Sequence, residues 1–258
     1  MTTYNFATEV GVTPTTQTWE LVTNTKMFQS PLTNAVQTQT RKGSYWKTTA
    51  TFNNLTGADR AKMQAFLAKL DGQVHRMYFT DYGYNRSGNA PSGDSITSLT
   101  AGYLVSGITY KITSVGTTDF TAIGASSNTV GVVFQATGAG TGTGTVVTVG
   151  IQVKGASQTG SSLIADGADL SNTDYFKAGD YIAFNNEFHI VTADCSTDGL
   201  GEITIPIAPP LRKSPDDNDP INFVTPLAVM IVTSTASWDT RPGRVSNFTI
   251  EAIEDVLA

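Results

Sequence analysis

The chain has very few of the side chains that carry metal or thiol chemistry. It contains one cysteine, Cys195, and two histidines, His75 and His189, among 258 residues. A single cysteine excludes an intrachain disulfide and a cysteine-based zinc site within one chain. Both histidines lie in strand-like patterns without the Glu or Asp spacing of a metal site. We therefore predict no metal site and no cofactor.

Charged side chains are also scarce. They make up 15% of the residues, and 16 Lys and Arg against 22 Asp and Glu give a net charge of −6. The polar surface must therefore consist mainly of Thr, Ser, Asn and Gly. This balance argues against adhesion to nucleic acid or to an anionic membrane, because both require basic patches.

Long apolar runs are missing as well. No run approaches the roughly 20 residues that span a bilayer, and the first six residues lack the basic and apolar parts of a secretory leader. We expect a protein that is assembled in a cytoplasm and makes no membrane contact. At 40% hydrophobic residues, the chain can still bury a sizeable core.

One segment predicts a helix, over residues 56–71. Four large apolar side chains recur at i, i+3, i+4 and i+7, the spacing of one helix face: Met63, Phe66, Leu67 and Leu70. Thr56 with Asp59 resembles a capping arrangement at the start, and Gly72 suits the stop. We predict that the four apolar residues belong to a core between this helix and a sheet.

Most of the remaining chain alternates like half-buried strands. In YWKTTATF, Trp46 and Phe52 share the side that also carries Thr48 and Ala50, while Tyr45 points the other way. We expect Trp46 and Phe52 in the core and Tyr45 at a subunit interface. Residues 33–40 predict a loop or an edge segment.

Turn signals divide the later strands. Asn185-Asn186 between YIAF and FHIVTA predicts a two-residue hairpin turn. The strand GEITIPI is expected to end at Pro209-Pro210, since proline cannot donate to a strand ladder.

A segment of different composition lies between residues 99 and 149. It is rich in Gly, Thr, Ser and Val, and its large side chains include Phe120 and Phe134, which form either a small core or a ligand-stacking surface. The stretch GITYKITSVGTTDFTAIGASSNTVGVVFQATGAGTGTGTV resembles a small β-module inserted in many structural proteins of tailed bacteriophages.

Other segments carry a second resemblance. Five segments together are similar to siphophage distal tail proteins: YWKTTATF, GADRAKMQAFLAKLDG and VHRMYFTDYG, with AGDYIAFNNEFHIVTADCSTDGLGEITIPIAPPLR and WDTRPGRVSNFTIEAIEDV far downstream. The resemblance implies a ring, usually hexameric, that joins the tail tube protein to the baseplate hub protein and through which DNA passes without specific binding. It implies a location at the virion tail tip, after assembly in the host cytoplasm. It supplies no catalytic residues.

Together these patterns predict an all-β fold with one main helix. We expect a tail-tube-like β-sandwich or split barrel formed by residues 1–90 and 220–258, a second small β-barrel at 155–215, and the inserted module at 99–149. The alternative to a tail-tip ring is a carbohydrate-binding or host-recognition protein that acts through the 99–149 insertion.

Several patterns resemble catalytic or ligand sites but lack a required part. The glycine-rich run at 138–145 has no following Lys-Ser/Thr, so a turn is favoured over a nucleotide site. The acids of SPDDNDP lack EF-hand spacing and favour a solvated turn over calcium. His189 with Cys195 has no oxyanion donor, and Glu251 with Glu254 has no evident cleft. We predict that the chain is not an enzyme.

Overall fold

The computed structural model describes residues 1–90, 98–104, 106–107, 109–148, 150–168, 171–242 and 245–257. The chain divides into two compact units. Unit 1 comprises residues 1–85, 186–188 and 225–258, and unit 2 comprises residues 86–185 and 189–224.

Strands make up most of the regular secondary structure. Its elements in chain order are β1 (Thr3–Asn5), α1 (Phe6–Glu9), β2 (Thr16–Val22), β3 (Thr25–Gln29), β4 (Val36–Thr40), β5 (Tyr45–Leu55), α2 (Gly57–Lys69), β6 (Arg76–Phe79), β7 (Ser98–Thr100), a 3₁₀ helix (Ala101–Tyr103), β8 (Thr109–Ser114), a 3₁₀ helix (Phe120–Ile123), β9 (Val133–Gln135), β10 (Thr145–Thr148), β11 (Gln152–Val153), β12 (Gly160–Asp166), β13 (Tyr181–Phe184), β14 (Glu187–Val191), β15 (Ile203–Leu211), β16 (Ala228–Val232), β17 (Asp239–Arg241) and β18 (Val245–Glu254). The predicted all-β class with one main helix is confirmed.

Unit 1 is organised around the last strand of the chain. Its main sheet has the order β1-β6-β16-β18-β5-β2, with β17 also paired to β18. β18 is antiparallel to β5, from Ser246 opposite Leu55 to Ile253 opposite Lys47. The unit is therefore discontinuous in sequence, because the C-terminal strands β16 and β18 lie between N-terminal strands in one sheet.

The main helix α2 lies on the core of unit 1. Met63, Phe66, Leu67 and Leu70 are all buried, with at most 5% of each residue exposed. Phe6 of the short helix α1 is completely buried, and its ring lies 5.3 Å from that of Phe66 and 5.4 Å from that of Phe52. Edge-to-face and tilted contacts at these distances are favourable for aromatic rings. Phe6 thus joins the helix to the sheet.

The start of α2 is confirmed in part: Thr56 is the N-cap residue and Asp59 lies in the first turn, but the Thr56 side chain does not form the predicted capping hydrogen bond. Gly57 has a φ of 53°, so the chain enters the helix through a left-handed residue rather than with regular capping geometry. The end of the helix follows the expectation: Leu70 is the C-terminal cap, and Gly72 has a left-handed φ of 65°.

The alternating burial along β5 shows which of its side chains face the core. Residues of β5 are alternately half-buried and buried from Tyr45 to Phe52. Trp46 is 5% exposed and Phe52 fully buried. The Trp46 indole Nε1 donates a hydrogen bond of 2.8 Å to the carbonyl of Phe188, which satisfies its one polar group inside the core.

Unit 2 contains two hydrophobic cores. The module segment forms a four-stranded sheet of order β7-β10-β8-β9, and a five-stranded sheet of order β11-β12-β15-β14-β13 follows. Tyr110, Phe120 and Phe134 belong to the first core, and Phe176 and Phe223 to the second. Residue 149, the predicted end of the module, lies outside the described residues.

The predicted boundaries differ from those of the compact units. Unit 1 ends at residue 85 and resumes at 225, rather than at 90 and 220. The segment that follows residue 85 belongs to unit 2 because the backbone N–H groups of Ser87 and Gly88 donate to the buried carboxylate of Asp180, at 2.8 and 3.0 Å. These bonds attach it to the five-stranded part of the chain.

The proline pair does not end its strand. β15 continues through Pro209 and Pro210 to Leu211, although proline lacks an N–H donor. The Pro209 carbonyl still accepts a hydrogen bond, since it lies 2.8 Å from Nδ1 of His189. The predicted hairpin turn has left-handed φ values of 47° and 61° at Asn185 and Asn186, as a type I′ turn requires.

The buried helix stripe gives the first testable prediction. Leu70→Asp places an unpaired carboxylate where only 1% of the residue is exposed. We expect a loss of about 4 kcal/mol or more in the free energy of unfolding, measured by urea denaturation. Val74→Asp is the matched control, because Val74 is 54% exposed. Equal stability of the two variants would contradict the placement of the helix.

Candidate functional site

The most exposed apolar surface of unit 1 is a β-hairpin. β3 and β4 form a separate two-stranded sheet, so the predicted loop or edge segment at 33–40 lies largely within a hairpin. The register runs from Thr25 opposite Thr40 to Gln29 opposite Val36. The hairpin connects β2 to β5, which pair with each other from Thr16 opposite Thr51 to Val22 opposite Tyr45.

Both faces of the hairpin carry exposed apolar side chains. All five residues of β3 are exposed. Met27 and Val36 lie on one face and are 67% and 52% exposed, and Phe28 lies on the other and is 55% exposed. Leu32 at the tip is 94% exposed. The grouping of four exposed apolar side chains makes the hairpin the candidate interaction surface of unit 1.

The hairpin tip and base are nevertheless ordered by hydrogen bonds. At the tip, the N–H groups of Leu32 and Thr33 donate to the Ser30 hydroxyl at 3.4 and 3.3 Å. At the base, the Asn24 side chain donates to the Lys42 carbonyl at 2.8 Å. Tyr45, the predicted interface residue, begins β5 next to this base and is partly exposed. The arrangement presents Leu32 in a defined position.

The two phenylalanines of the inserted module lie in its own core. Phe120 is fully buried and Phe134 is 5% exposed. Their ring centroids lie 5.7 Å apart in an edge-to-face contact. Neither ring offers a free face for stacking on a ligand.

The glycine-rich run of the module is explained by close packing. A Cβ on Gly144 would lie 2.6 Å from the Val115 carbonyl oxygen and 2.7 Å from the Phe120 ring. The Gly144 N–H donates to the Thr118 hydroxyl at 2.9 Å. Small residues here let two chain segments approach, which is a packing role rather than a phosphate-binding one.

The acids of the SPDDNDP segment bind their own turn. Asp217 Oδ1 accepts from the Gly155 N–H at 2.7 Å, and Asp219 Oδ2 accepts from the Asp216 N–H at 2.9 Å. Asn218 Nδ2 donates to the other oxygen of Asp217 at 2.8 Å. These carboxylates stabilise the turn and its contact with residue 155.

The histidines and the cysteine have separate structural environments. His189 is fully buried and stacks on Phe184 at 4.9 Å. His75 Nδ1 accepts a hydrogen bond from the Thr2 N–H at 3.2 Å. Burial raises the pKa of the Cys195 thiol to about 11, so at neutral pH the thiol is protonated and a poor nucleophile.

Two buried carboxylates bind backbone groups rather than a reaction centre. In unit 1, Glu254 is 2% exposed and its two oxygens accept from the N–H groups of Trp46 and Phe188, at 3.1 and 3.2 Å. Glu251, three residues before it on β18, is exposed. In unit 2, Asp180 is 1% exposed and, besides the bonds from Ser87 and Gly88, accepts from the Lys177 N–H at 2.9 Å.

A polar cleft of about 330 Å³ lies in unit 2. Its lining includes Gln135 of the module with Gln152, Asp166 and Glu202. Asp166 Oδ1 is buried without a hydrogen-bond partner among the described residues, and burial raises the pKa of this carboxyl. Glu202 is ion-paired with Lys154. The cleft thus contains one desolvated acid and one neutralised acid.

The sequence predicted the core residues more readily than the exposed surface. The helix stripe, Trp46 and Phe52 followed from periodicity, whereas the hairpin residues Met27 and Phe28 were missed. A signal was present: TKMFQ and VQTQT flank the turn-forming segment SPLTNA. Buried Glu254 was missed because sequence does not show which end of β18 is enclosed.

Gly88 allows a test of the Asp180 attachment. A Cβ at this position would lie 2.4 Å from the Tyr175 carbonyl oxygen and 2.7 Å from Asp180 Oδ2. We expect Gly88→Ala to lower the free energy of unfolding of unit 2 by about 1–3 kcal/mol, measured by urea denaturation. Gly199→Ala is the control, since its Cβ would meet nothing within 4 Å. Equal effects of the two substitutions would contradict the attachment.

The desolvated acid Asp166 gives a pH prediction. The pKa of the Asp166 carboxyl is raised in the folded state, so ionising it lowers the free energy of unfolding. This loss grows as the pH rises above the pKa of about 4 in the unfolded state. We expect Asp166→Asn to raise the melting temperature at pH 7 and to lose this advantage as the pH falls through about 4. Asp174→Asn is the control, because the Asp174 side chain is 39% exposed. A lower melting temperature of Asp166→Asn at pH 7 would contradict the assignment.

Within the described residues, no helix is long and apolar enough to cross a membrane. The same residues contain no group of three or more His, Cys, Asp or Glu side chains placed to hold a metal ion. The chain matches no protein-family model and no curated protein.

Proposed function

We propose that this chain is a structural component of a bacteriophage tail tip. Copies of it form a ring, expected to be a hexamer, that joins the tail tube protein to the baseplate hub protein and lets DNA pass. The ring lies at the virion tail tip after assembly in the host cytoplasm. Support comes from the resemblance of its strand and helix segments to siphophage distal tail proteins, together with the exposed hairpin of unit 1.

The hairpin β3–β4 is the observation that carries the proposal. A two-stranded hairpin is at best marginally stable in water, and this one exposes Met27, Phe28, Leu32 and Val36. Covering these side chains would contribute about 1.5–3 kcal/mol for each one fully buried. We therefore infer that the hairpin is stabilised mainly by contact with a partner molecule that covers these side chains.

A second copy of the chain is the partner that a ring requires. Ring closure uses heterologous contacts, in which each copy offers two different surfaces. The main sheet of unit 1 provides two different outer strands, β1 and β2. The hairpin is connected to β2 and β5 at one edge of this sheet, and in the proposed ring the opposite edge strand, β1, contacts the preceding copy.

The charge of the chain suits a ring through which DNA passes. Phosphates bound by Lys or Arg release counterions and hold the nucleic acid in place. With a net charge of −6 per copy, a ring lined by acidic and neutral polar groups would let DNA slide. This supports passage rather than binding.

A saccharide-binding role of the 99–149 insertion has weaker support. Such a site would need an exposed aromatic ring with polar neighbours. Phe120 and Phe134, the two candidates, are packed against each other instead. The ring proposal therefore stands ahead of a host-recognition role for this module.

Assembly is tested by removing the apolar side chains of the hairpin. We expect the wild-type chain to form a closed oligomer by native mass spectrometry, and the double variant Phe28→Ser, Leu32→Ser to require at least about tenfold higher concentration to assemble. Both side chains are exposed, so the melting temperature of the dissociated chain should not change.

The matched control for the hairpin is Val130→Ser, which changes an apolar side chain, 59% exposed, in the module. This variant should assemble like the wild type. A wild-type chain that stays monomeric and is absent from virions would overturn the ring proposal. Unchanged assembly of the double variant would overturn the role of the hairpin.

A further inference from the structure

An exposed tryptophan lies beside the last strands of unit 1. Trp238 directly precedes β17 and is 42% exposed. Its ring contacts that of Phe248 at a centroid distance of 6.1 Å and an interplanar angle of 35°. Because Phe248 is 1% exposed and fixed in the core, it supports the indole while leaving much of it accessible.

The indole borders a cleft of about 420 Å³. The other residues that line it are all polar: Ser237, Asp239, Asn247 and Thr249. A volume of this size falls within the range of about 300–1,000 Å³ that small-ligand sites occupy.

The polar side chains of the cleft are partly held and partly available. Asp239 Oδ1 accepts from the Asn247 N–H at 3.1 Å, and Asn247 Oδ1 accepts from the Asn54 N–H at 2.9 Å. These bonds fix two side chains at the cleft. The hydroxyls of Ser237 and Thr249 make no hydrogen bond within the described part of the chain, so each can both donate and accept.

The composition of the cleft selects among ligand classes. A docking protein would require a larger apolar centre than one indole. An ionic ligand is disfavoured because the Asp239 carboxylate lies 3.3 Å from the Arg241 guanidinium, which balances its charge. What remains is a neutral ligand with a flat apolar face for the indole and hydroxyl groups at its edge.

We propose that this cleft binds a saccharide, with one sugar ring stacked on Trp238 and its hydroxyls hydrogen-bonded to the side chains of Asn247 and Thr249. The cleft is open to solvent, so the dissociation constant for a short oligosaccharide is on the order of 1 mM. This site lies in unit 1, outside the 99–149 insertion, and does not depend on ring formation.

Intrinsic fluorescence of the full chain tests the site directly. Trp46 is 5% exposed and Trp19 is only partly exposed with a buried indole nitrogen, so Trp238 is the most exposed of the three tryptophans. The probes are tetrasaccharides of N-acetylglucosamine, of α-1,4-linked glucose and of β-1,4-linked glucose, with sorbitol as a ringless polyol. We expect a saturable change in emission with at least one tetrasaccharide and none with sorbitol.

Variants then locate the binding by saturation-transfer NMR. Trp238→Ala should weaken binding at least about tenfold, and Thr249→Val, which removes one exposed hydroxyl, should weaken it several-fold. Tyr103→Ala is the matched control, because Tyr103 is an aromatic residue of the module that is 74% exposed. The Thr249 variant keeps the test valid if Trp238→Ala fails to fold.

Three outcomes would overturn the proposal: no saturable binding of any tetrasaccharide, loss of binding in Tyr103→Ala alone, or a lower oligomer mass in Trp238→Ala at unchanged melting temperature. The second would place the site in the module, and the third would make Trp238 a contact between copies. The failures of the two proposals can be told apart. Loss of saccharide binding with an intact oligomer concerns only this site, and loss of the oligomer with retained saccharide binding concerns only the ring.

Discussion

The pairing of β18 with β5 is the constraint on which the rest of unit 1 depends. The last strand of the chain lies between β16 and β5, so the sheet cannot close until the C-terminal segment has returned across everything that precedes it. Once it has, Phe52 of β5 contacts Phe6, whose ring also contacts Phe66 of the helix, and Glu254 accepts hydrogen bonds from the N–H groups of Trp46 and Phe188. Pairing strands that are far apart in sequence first loses the conformational entropy of loop closure, and the contacts between the strands add stability only afterwards.

The same constraint explains how a large intervening segment is tolerated. Closure entropy grows only with the logarithm of loop length, so a segment with its own cores adds little cost between β6 and β16. Unit 2 has two such cores. Its first residues are fixed by Asp180, whose buried carboxylate is stable because it accepts several N–H and O–H donors. Insertion and closure are therefore compatible.

Sequence reasoning succeeded where local periodicity decides the structure. Leu70 and its helix neighbours, the alternation from Tyr45 to Phe52 and the turn at Asn185 all follow from spacing or turn chemistry. It failed where residues distant in sequence determine the structure. Phe6 has no periodic partner in its four-residue helix, and the carbonyl of Pro209, within β15, accepts a hydrogen bond from His189. Glu254 is expected to be exposed as a charged residue until the strand opposite it is known. Of the surface features, the hairpin had a local signal, whereas the Trp238 cleft required the β17–β18 register.

The two exposed surfaces of unit 1 differ in a way that separates their roles. On the hairpin, four large apolar side chains are exposed to solvent, which suits a partner that covers a broad area. At the cleft, a single supported indole is surrounded by polar side chains, two held by hydrogen bonds and two with available hydroxyls, which suits a small ligand with hydroxyls. Binding at the hairpin would gain free energy from buried apolar area, whereas binding at the cleft would gain it from directed hydrogen bonds and ring stacking. The proposed ring contact through the hairpin and the proposed saccharide site thus use different residues of unit 1.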